Sequence, residues 1–329
     1  MIKQIVPNLY KLEIPLPGNP LKNLNSYLVV GEPRSLIIDT GFNLPECLEA
    51  ILTCISILAV DRTKLDVLST HFHADHTGLI AEIISASSRV YMSRVDREMF
   101  TQAVRENGHY WRRLREKYIQ EGYPDALLDE AIRLNPAKML ISDNGFDILA
   151  LDDGDKLSYG DFNWIVMLTP GHTPGHICLY EPKQKILITG DHLLFGISSN
   201  IAWWDCLEDS LSYYLSSLVR ISSLEVALVL TGHRDNQGEL STRVSELINH
   251  HHKRLSEILT IVANEPGCTS YEIASKMMWK TPAGWAELRP IPRWFAVGET
   301  ISHVEYLAQI GKLKKDKHDG TNKYFIIIN

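Results

Sequence analysis

The chain has 329 residues, of which 45% are hydrophobic and 22% are charged, and its formal net charge is −7. This composition is typical of a globular protein of about two domains, and it excludes a disordered or fibrous chain. The net negative charge also argues against a protein that binds nucleic acid over its whole surface, although a basic unit can be hidden in the average.

The five cysteines are scattered and form no CxxC pair, which indicates neither a disulfide framework nor a thiolate zinc site. The first twenty residues carry prolines and polar interruptions where a signal peptide needs an apolar stretch. The longest apolar stretch, residues 51–60, is about half the length that a bilayer requires. We therefore expect a cytoplasmic protein without a membrane partner.

Strand patterns dominate the first ninety residues, with helix patterns at 44–58 and 79–85 between the later strands. Residues 94–144 change to a charged, helical texture, which predicts a helical insertion. Strand patterns return between residues 146 and 231, so the two strand-rich portions are expected to form two halves of one layered α/β domain over residues 1–245.

A long helical pattern follows residue 238 and is broken by a Glu-Pro-Gly sequence at 265–267. Beyond it the sequence predicts a short helix, a connector rich in proline and tryptophan as far as residue 294, a helix at 300–310 and a β-hairpin. This order of elements is typical of a winged helix, and we expect residues 246–329 to form a winged-helix domain.

Five strand patterns end in a short motif that contains histidine or aspartate. The motifs are IDTG with Asp39, HFHADH at 71–76, PGHTPGH with His172, GDH with Asp191 and TGH with His233. Since α/β folds place their sites at strand ends along one edge of a sheet, these side chains are expected to converge.

The densest motif brings three imidazoles and a carboxylate within six positions. These residues are His71, His73, Asp75 and His76. Such donors suit Zn²⁺, and also iron or manganese where a carboxylate takes part. With His172, Asp191 and His233 the candidate ligands number seven, which is more than one such ion usually accepts. The sequence therefore predicts two divalent metal ions that share one carboxylate, with zinc as the first choice.

The unbroken HxHxDH signature, followed in order by single His, Asp and His motifs, resembles the metallo-β-lactamase superfamily. The resemblance implies a four-layer αββα sandwich, an α/β fold. The helical insertion at 94–144 follows a strand and precedes the second half, so we expect it to cover the edge of the site as a lid. The resemblance also implies two sets of metal ligands with Asp191 as the bridge between them. The sets are His71, His73 and His172 for the first ion, and Asp75, His76 and His233 for the second.

The segment GDHLL, followed by ISSN at 197–200, and the winged helix look like the glyoxalase-II-like hydrolases and the lactamase-beta-like endoribonucleases. That branch contains small hydrolases and enzymes that cut single-stranded RNA. Zinc β-lactamases of the main subclass carry Cys where this chain has Asp191, so antibiotic hydrolysis is not expected. Glutathione-thioester hydrolases carry their own C-terminal helices in place of a winged helix.

A hydroxide held between two divalent cations would be the nucleophile, because metal charge lowers the pKa of bound water from about 15.7 towards about 7. No GxSxG nucleophile motif occurs in the chain. Asp75 is expected to orient this water or to relay its proton. Asp39 and His176 are expected to support the ligands through hydrogen bonds, with a turn or capping role as the alternative for Asp39.

Four residues are candidates for substrate contact. They are Tyr110, Asn200, Trp204 and Arg234. Tyr110 lies within the expected lid, and Asn200 and Trp204 follow Asp191 closely along the chain. Arg234 could neutralise an anionic group, or it could form a surface salt bridge.

The first functional hypothesis is a dinuclear metal-dependent hydrolase that acts on a small, anionic thioester or ester. A metal-dependent endoribonuclease for single-stranded RNA is the alternative, favoured by lysines at 312–323 on the expected wing. A DNA-binding regulator that uses the metal domain as a sensor is a third reading, which the absence of Lys and Arg from the 300–310 helix disfavours. Three tryptophans, Trp279, Trp285 and Trp294, favour packing of the last domain on its own catalytic domain or in a homodimer.

Overall fold

The computed structural model of the chain describes residues 1–106, 108–235, 238–279 and 284–327. Within these ranges a seven-stranded sheet follows the order of the chain from its first strand to its seventh. Its strands are β1 (Ile2–Val6), β2 (Leu9–Pro15), β3 (Asn23–Val29), β4 (Ser35–Ile38), β5 (Leu65–Leu68), β6 (Val90–Ser93) and β7 (Leu149–Leu151).

The first four strands of this sheet pair antiparallel, and β4 to β7 pair parallel. Ile38 of β4 pairs with Leu68 of β5, so the chain leaves both strands at the same edge of the sheet. Asp39 follows β4 directly, and the HFHADH segment begins three residues after β5. The register therefore places both motifs side by side.

A second, five-stranded sheet has the order β12-β11-β10-β9-β8. Its strands are β8 (Lys156–Tyr159), β9 (Phe162–Leu168), β10 (Ile177–Glu181), β11 (Ile186–Gly190) and β12 (Leu228–Thr231). The pair β11 and β12 is parallel, with Gly190 opposite Thr231, so Asp191 and His233 leave the sheet at one end. The loop between β9 and β10, which carries His172, lies at this end as well because both neighbouring pairs are antiparallel.

The two sheets pack face to face through an apolar layer to which both contribute. Alternate residues of β9, Phe162, Trp164 and Val166, lie in this layer and are completely buried. This is the period of two that a strand imposes on its side chains. Burial of each such side chain contributes about 1.5–3 kcal/mol. The opposite face of each sheet packs on a separate apolar cluster with helices.

The described ranges contain eleven α-helices. They are α1 (Pro45–Ile57), α2 (Ala74–Thr77), α3 (Ile80–Ile83), α4 (Arg94–Phe100), α5 (His109–Gln120), α6 (Asp125–Arg133), α7 (Pro136–Met139), α8 (Ser210–Ser222), α9 (Leu240–Asn264), α10 (Ser270–Lys276) and α11 (Pro290–Gln309). Shorter turns lie at Arg62–Lys64, Thr101–Arg105 and Trp285–Glu287. No described helix is both long enough and apolar enough to span a bilayer.

The segment 94–144 contains α4 to α7. Helix α5 buries one face, with Trp111, Leu114 and Tyr118 at helical spacing, and it exposes charged residues on the other face. The helix expected at 95–106 ends as an α-helix at Phe100 and continues as the π-helical turn Thr101–Arg105. The indole Nε1 of Trp111 donates a hydrogen bond to the carbonyl of Ala103 (2.9 Å) and thereby joins this turn to α5.

The C-terminal part contains α9, α10, α11 and a hairpin of β13 (Leu313–His318) and β14 (Thr321–Ile326). Helix α11 begins at Pro290, ten residues before the start that the sequence predicts. The sequence predicts a connector as far as residue 294, but Pro290 and Pro292 lie in the first turn of α11, where the missing N–H groups cost nothing. The boundary at residue 245 falls within α9, and the winged-helix classification stays a prediction.

These C-terminal elements pack against α5 of the 94–144 segment. The ring of Trp294 stacks on that of Tyr118 with centroids 4.1 Å apart. The completely buried carboxylate of Glu121, at the end of α5, accepts hydrogen bonds from Asn322 Nδ2 (2.7 Å) and from the Tyr324 hydroxyl (2.9 Å). A buried carboxylate with several donors fixes the two segments to each other.

Candidate metal centre

Two backbone hydrogen bonds bring the edges of the two sheets together. The N–H of Asn25 donates to the carbonyl of Gly232 (2.7 Å), and the N–H of Ile177 donates to the carbonyl of Thr70 (2.9 Å). The motifs that follow β4, β5, β9, β11 and β12 therefore meet in one place, although they lie far apart in the sequence.

Seven side chains meet there in three overlapping groups, and within each group the potential ligand atoms lie within 4.8 Å of one another. The groups are His71, His73 and His172; His71, His76 and Asp191; and Asp75, His76 and His233. These are the seven residues that the sequence predicts as ligands. Their assignment as ligands of two ions stays a prediction.

The distances between potential ligand atoms suit a common ion. His233 Nε2 lies 3.3 Å from Asp75 Oδ2 and 3.5 Å from Asp191 Oδ2. His76 Nε2 lies 3.6 Å from Asp191 Oδ1, and His71 Nε2 lies 3.1 Å from His73 Nδ1. Ligands about 2.0–2.2 Å from a tetrahedral ion are separated by about 3.3–3.6 Å. The three spacings that involve a carboxylate fall in this range, and the 3.1 Å between His71 and His73 is slightly shorter.

Three histidines are oriented by hydrogen bonds from the ring nitrogen that points away from the centre. Nδ1 of His76 donates to Asp39 Oδ2, that of His172 to the carbonyl of Asn200, and that of His233 to the carbonyl of Asn23, each at 2.8 Å. A neutral ring that donates through Nδ1 presents the lone pair of Nε2 to the centre. When these rings are neutral, the three Nε2 atoms have the state that a metal ligand requires. Burial lowers the pKa of His76 and of His233, but the carboxylates of Asp39, Asp75 and Asp191 outweigh this effect and raise both, so a metal ion that binds there would displace a proton from each of the two rings.

The same Nε2 atoms are buried and have no hydrogen-bond partner among the described residues, and Asp191 Oδ1 shares this property. A buried polar atom without a partner costs about 1–3 kcal/mol. The lack of partners for these four atoms is explained if a cation binds between them. The residues present therefore fit the divalent ions that the sequence predicts.

The carboxylate of Asp39 supports the candidate metal centre through hydrogen bonds with Thr70 and His76. Its Oδ1 accepts the N–H of Thr70 (2.8 Å), and its Oδ2 accepts the Thr70 hydroxyl (2.8 Å) in addition to His76. The backbone of Asp39 is left-handed, with φ of 64°, a conformation that Asp tolerates better than most residues. The structure thus places Asp39 in the supporting position that the sequence predicts.

His176 holds the backbone of Asp191. Its Nε2 accepts the N–H of Asp191 (3.2 Å), and its Nδ1 lies 2.9 Å from the hydroxyl of Thr169. Burial lowers the pKa of His176 well below its usual value, which keeps the ring neutral and able to accept. Gly190 makes room for this contact, because a Cβ there would lie 2.9 Å from His176 Nε2.

Asp96 is a buried supporting residue that the sequence analysis did not identify. Its Oδ2 accepts the N–H of Phe72 (3.1 Å) and the hydroxyl of Thr173 (2.6 Å), and its Oδ1 accepts the N–H of Gly175 (2.6 Å). Phe72 lies between two candidate ligands, and Thr173 follows a third. Despite these hydrogen bonds, burial raises the pKa of Asp96 to about 7.

The charge states of two ligands agree with metal binding. Burial raises the pKa of Asp75, but the nearby rings of His76 and His233 outweigh this effect and lower it to about 2. Burial lowers the pKa of His73 to about 3. Near neutral pH the carboxylate is therefore ionised and the imidazole is neutral, as metal ligands must be.

A cavity of about 620 Å³ opens onto these residues. The potential ligands that line it are His73, Asp75, His172 and Asp191. Its walls come from the 94–144 segment, from the loop after β11 and from the start of α11. The cavity thus lies between the candidate metal centre and the two helical segments.

Three of the four predicted substrate residues line this cavity: Tyr110, Asn200 and Trp204. Asn200 also positions His172 through its carbonyl, and the indole Nε1 of Trp204 donates to the carbonyl of His172 (3.2 Å). Arg234 is not among the described residues of the lining, and its guanidinium donates to the carbonyl of Pro20 (3.0 Å). Arg289, at the start of α11, is a basic residue that does line the cavity.

Comparisons with known proteins agree with this architecture. The model of the metallo-beta-lactamase superfamily matches residues 20–233. The lactamase-like protein nscB of Neosartorya fischeri is 24% identical over 287 residues, which cover 81% of this chain and 71% of that protein.

Two solved structures are similar over nearly the whole chain. A metallo-beta-lactamase family protein from Thermus thermophilus is 26% identical with a TM-score of 0.83, covering 98% of this chain and 100% of its own. A beta-lactamase domain protein from Burkholderia ambifaria is 25% identical with a TM-score of 0.85, covering 99% and 94% respectively. The predicted α/β fold of this superfamily is thereby confirmed, and the chain belongs to the metallo-beta-lactamase superfamily.

Proposed function

We propose that the protein is a dinuclear metal-dependent hydrolase that cleaves a thioester or ester bond. Members of the superfamily are generally metal-dependent hydrolases. The observation that carries the proposal is the set of buried ligand atoms of His76, His172, Asp191 and His233, which have no hydrogen-bond partner among the described residues, beside a largely apolar cavity. A site of this kind combines Lewis-acid chemistry with room for an organic substrate.

The residues divide into two sets around one shared carboxylate. The first set is His71, His73 and His172, the second is Asp75, His76 and His233, and Asp191 faces both. Divalent ions bound there would lower the pKa of water towards about 7 and would polarise a carbonyl oxygen. Zinc is our first choice of metal, with iron or manganese as alternatives.

The protein residues orient the reactants. The Asp75 carboxylate lies at the cavity surface, where it can orient the attacking water and accept its proton at a carboxylate oxygen. The supporting residues Asp39, Asp96 and His176 keep the ligand loops in place through the hydrogen bonds described above. The apolar cavity walls limit the access of bulk water to the reacting carbonyl.

RNA cleavage remains the second candidate because the hairpin β13–β14 is rich in lysine. Three of its lysines, however, face carboxylates: Lys314 lies 2.7 Å from Asp316, Lys315 lies 2.6 Å from Glu305, and Lys323 lies 3.6 Å from Glu272. Paired lysines offer less free charge to a phosphate backbone. This arrangement favours the ester hydrolase over the nuclease.

Helix α11 occupies the place of the DNA-reading helix in the expected winged helix. Residues 296–304 of this helix are all buried against the rest of the chain. A helix that enters the major groove needs one face free to contact base edges. The regulator hypothesis is therefore the weakest of the three.

The test compares zinc-loaded wild-type protein with Asp75→Asn and with a surface control, His252→Gln. We expect hydrolysis of N-acetylcysteamine thioesters by wild type and by the control, and a loss in kcat of about 100-fold or more in Asp75→Asn. Single-stranded RNA should stay intact. RNA cleavage that disappears in Lys314→Glu/Lys315→Glu/Lys317→Glu, together with no thioester hydrolysis, would overturn the proposal in favour of the nuclease.

A further inference from the structure

We infer that the substrate carries a bulky apolar acyl group, which binds in an aromatic chamber between α5 and the start of α11. This inference rests on the proposed function and names the class of substrate. We call the space the acyl chamber, and it is the part of the cavity lined by Tyr110, Trp111, Tyr118, Trp203, Trp294 and Phe295.

The position of the chamber argues that its occupant is part of the substrate. The cavity that contains it is also lined by Asp75, His172 and Asp191, so a molecule in the chamber adjoins the candidate metal centre. A reacting carbonyl held at the ligands would direct the rest of its acyl group towards α5 and α11. The acyl group would reach the chamber through the same cavity that opens onto the candidate metal centre.

The side chains from α5 are apolar where they face the cavity. Trp111 and Tyr118 are almost completely buried, and the indole Nε1 of Trp111 is occupied by the carbonyl of Ala103. Burial raises the pKa of Tyr110 far above its usual value, so its phenol stays neutral. These side chains present ring surfaces and offer no charge to a ligand.

The start of α11 supplies the opposite wall. Trp294 is held by stacking on Tyr118, whereas Phe295 is 37% exposed and lines the cavity. The backbone of Phe295 is fixed because its carbonyl accepts a hydrogen bond from Asn200 Nδ2 (3.1 Å). A partly exposed phenyl ring on a fixed backbone at the cavity is positioned to contact an apolar ligand.

Few charged side chains line the cavity. The acidic residues Asp75 and Asp191 lie at the candidate metal centre, and Arg289 at the start of α11 is the one Lys or Arg among the described residues of the lining. Arg289 is exposed. An anionic group of the substrate would therefore stay outside near Arg289, and the buried part should be uncharged.

The volume of the cavity favours an acyl group larger than acetyl as its occupant. Its 620 Å³ lies within the range of about 300–1,000 Å³ that holds drug-sized ligands. An acetyl group would leave the ring surfaces of the chamber in contact with water. Each buried methylene improves binding by about fourfold, so a longer acyl chain gains strongly if it enters the chamber.

The first experiment measures kcat/KM of zinc-loaded protein for the acetyl, octanoyl and 2-naphthoyl thioesters of N-acetylcysteamine. We expect kcat/KM for the octanoyl and 2-naphthoyl compounds to exceed kcat/KM for the acetyl compound by about 100-fold. This difference is smaller than full burial of the added carbons would give. In Phe295→Ala, kcat/KM for the two larger compounds should fall by about tenfold, and kcat/KM for the acetyl compound should change by less than about twofold.

The matched control is Tyr213→Ala, which removes an aromatic ring of similar exposure, 44%, that does not line the cavity. It should leave all three values unchanged. A second readout needs no turnover: the neutral fluorescent probe N-phenyl-1-naphthylamine should bind metal-free protein at one site per chain, more weakly in Phe295→Ala and equally well in Tyr213→Ala.

The outcomes separate the inference from the proposed function. Hydrolysis of all three thioesters at similar kcat/KM, or large-substrate activity that Phe295→Ala leaves unchanged, overturns the acyl chamber and leaves the proposed function in place. Hydrolysis of none of them overturns the proposed function and the acyl assignment with it, whether or not the probe binds.

Discussion

Asp96 joins two metal-binding loops that come from different halves of the chain. It accepts hydrogen bonds from the HFHADH loop at Phe72 and from the PGHTPGH loop at Thr173 and Gly175. Gly175 permits the approach, because a Cβ there would lie 2.7 Å from Asp96 Oδ1. Replacing a residue that orients a metal ligand through a hydrogen bond commonly lowers metal affinity by about 10- to 100-fold.

We predict that Asp96→Asn weakens zinc binding at the set formed by His71, His73 and His172. The amide nitrogen would face an N–H or O–H donor, so at least one loop contact would be lost. The expected loss of affinity is about 10- to 100-fold, measured by competition with a chromophoric chelator.

The matched control is Asp161→Asn, which changes an exposed aspartate outside the centre. It should bind zinc like wild type. A folded Asp96→Asn protein with wild-type affinity for both ions would show that Asp96 has no part in positioning the loops.

At the level of elements, α11 connects the cavity with the interior of the C-terminal part. Its residue His303 forms a buried pair with His251 of α9, with His251 Nδ1 3.0 Å from His303 Nε2. The Nδ1 of His303 donates to the carbonyl of Glu299 (2.6 Å), so His303 Nε2 must accept from His251. Both rings are therefore neutral. A further proton on His303 Nε2 would point at the N–H of His251 Nδ1, which is itself a hydrogen-bond donor.

This pair predicts a pH-dependent stability. Burial lowers the pKa of His303 to about 3, against an ordinary value of 6.5, with Arg254 and His250 as the nearby groups that oppose its protonation. Since the unfolded chain takes up the proton first, the stabilisation is complete above about pH 6.5. It is lost as the pH falls towards about 3.

The measurement is the free energy of unfolding in urea between pH 7 and pH 4, on metal-free protein. His303→Leu should reduce the slope by up to about 1.4 kcal/mol per pH unit relative to wild type. His252→Leu, at an exposed position on the same helix as His251, should not change the slope. Equal slopes for wild type and His303→Leu would contradict a neutral buried pair.

At the scale of the whole molecule, the sequence predicts the candidate centre well because its motifs are local. Each predicted ligand lies in the loop or short helix that directly follows a strand, and the strand register brings the motifs of each sheet to one edge of that sheet. Asp39 and His176 could be predicted for the same reason, since Asp39 lies within the IDTG motif and His176 lies within the PGHTPGH motif.

The cavity walls could not be predicted in this way because they depend on contacts between distant segments. Asp96 resembles any acidic residue in the first turn of a helix, and only the fold brings it to Gly175. The contribution of α11 to the cavity could not be predicted, because the sequence around Pro290 and Pro292 indicates a connector and the helix pattern begins only at residue 300. The position of Arg234 next to His233 predicts a substrate contact, whereas Arg289 lies at the cavity without any local motif that indicates it.

The number of metal ions per chain shows directly whether the centre is dinuclear. Wild-type protein, saturated with zinc, dialysed and measured by elemental analysis, should contain two ions per chain. His233→Ala should retain about one ion, whereas Asp191→Ala should lose occupancy at both sites because its carboxylate faces both sets of ligands. One ion per chain in the wild type, or two ions retained in Asp191→Ala, would contradict a dinuclear centre bridged by Asp191.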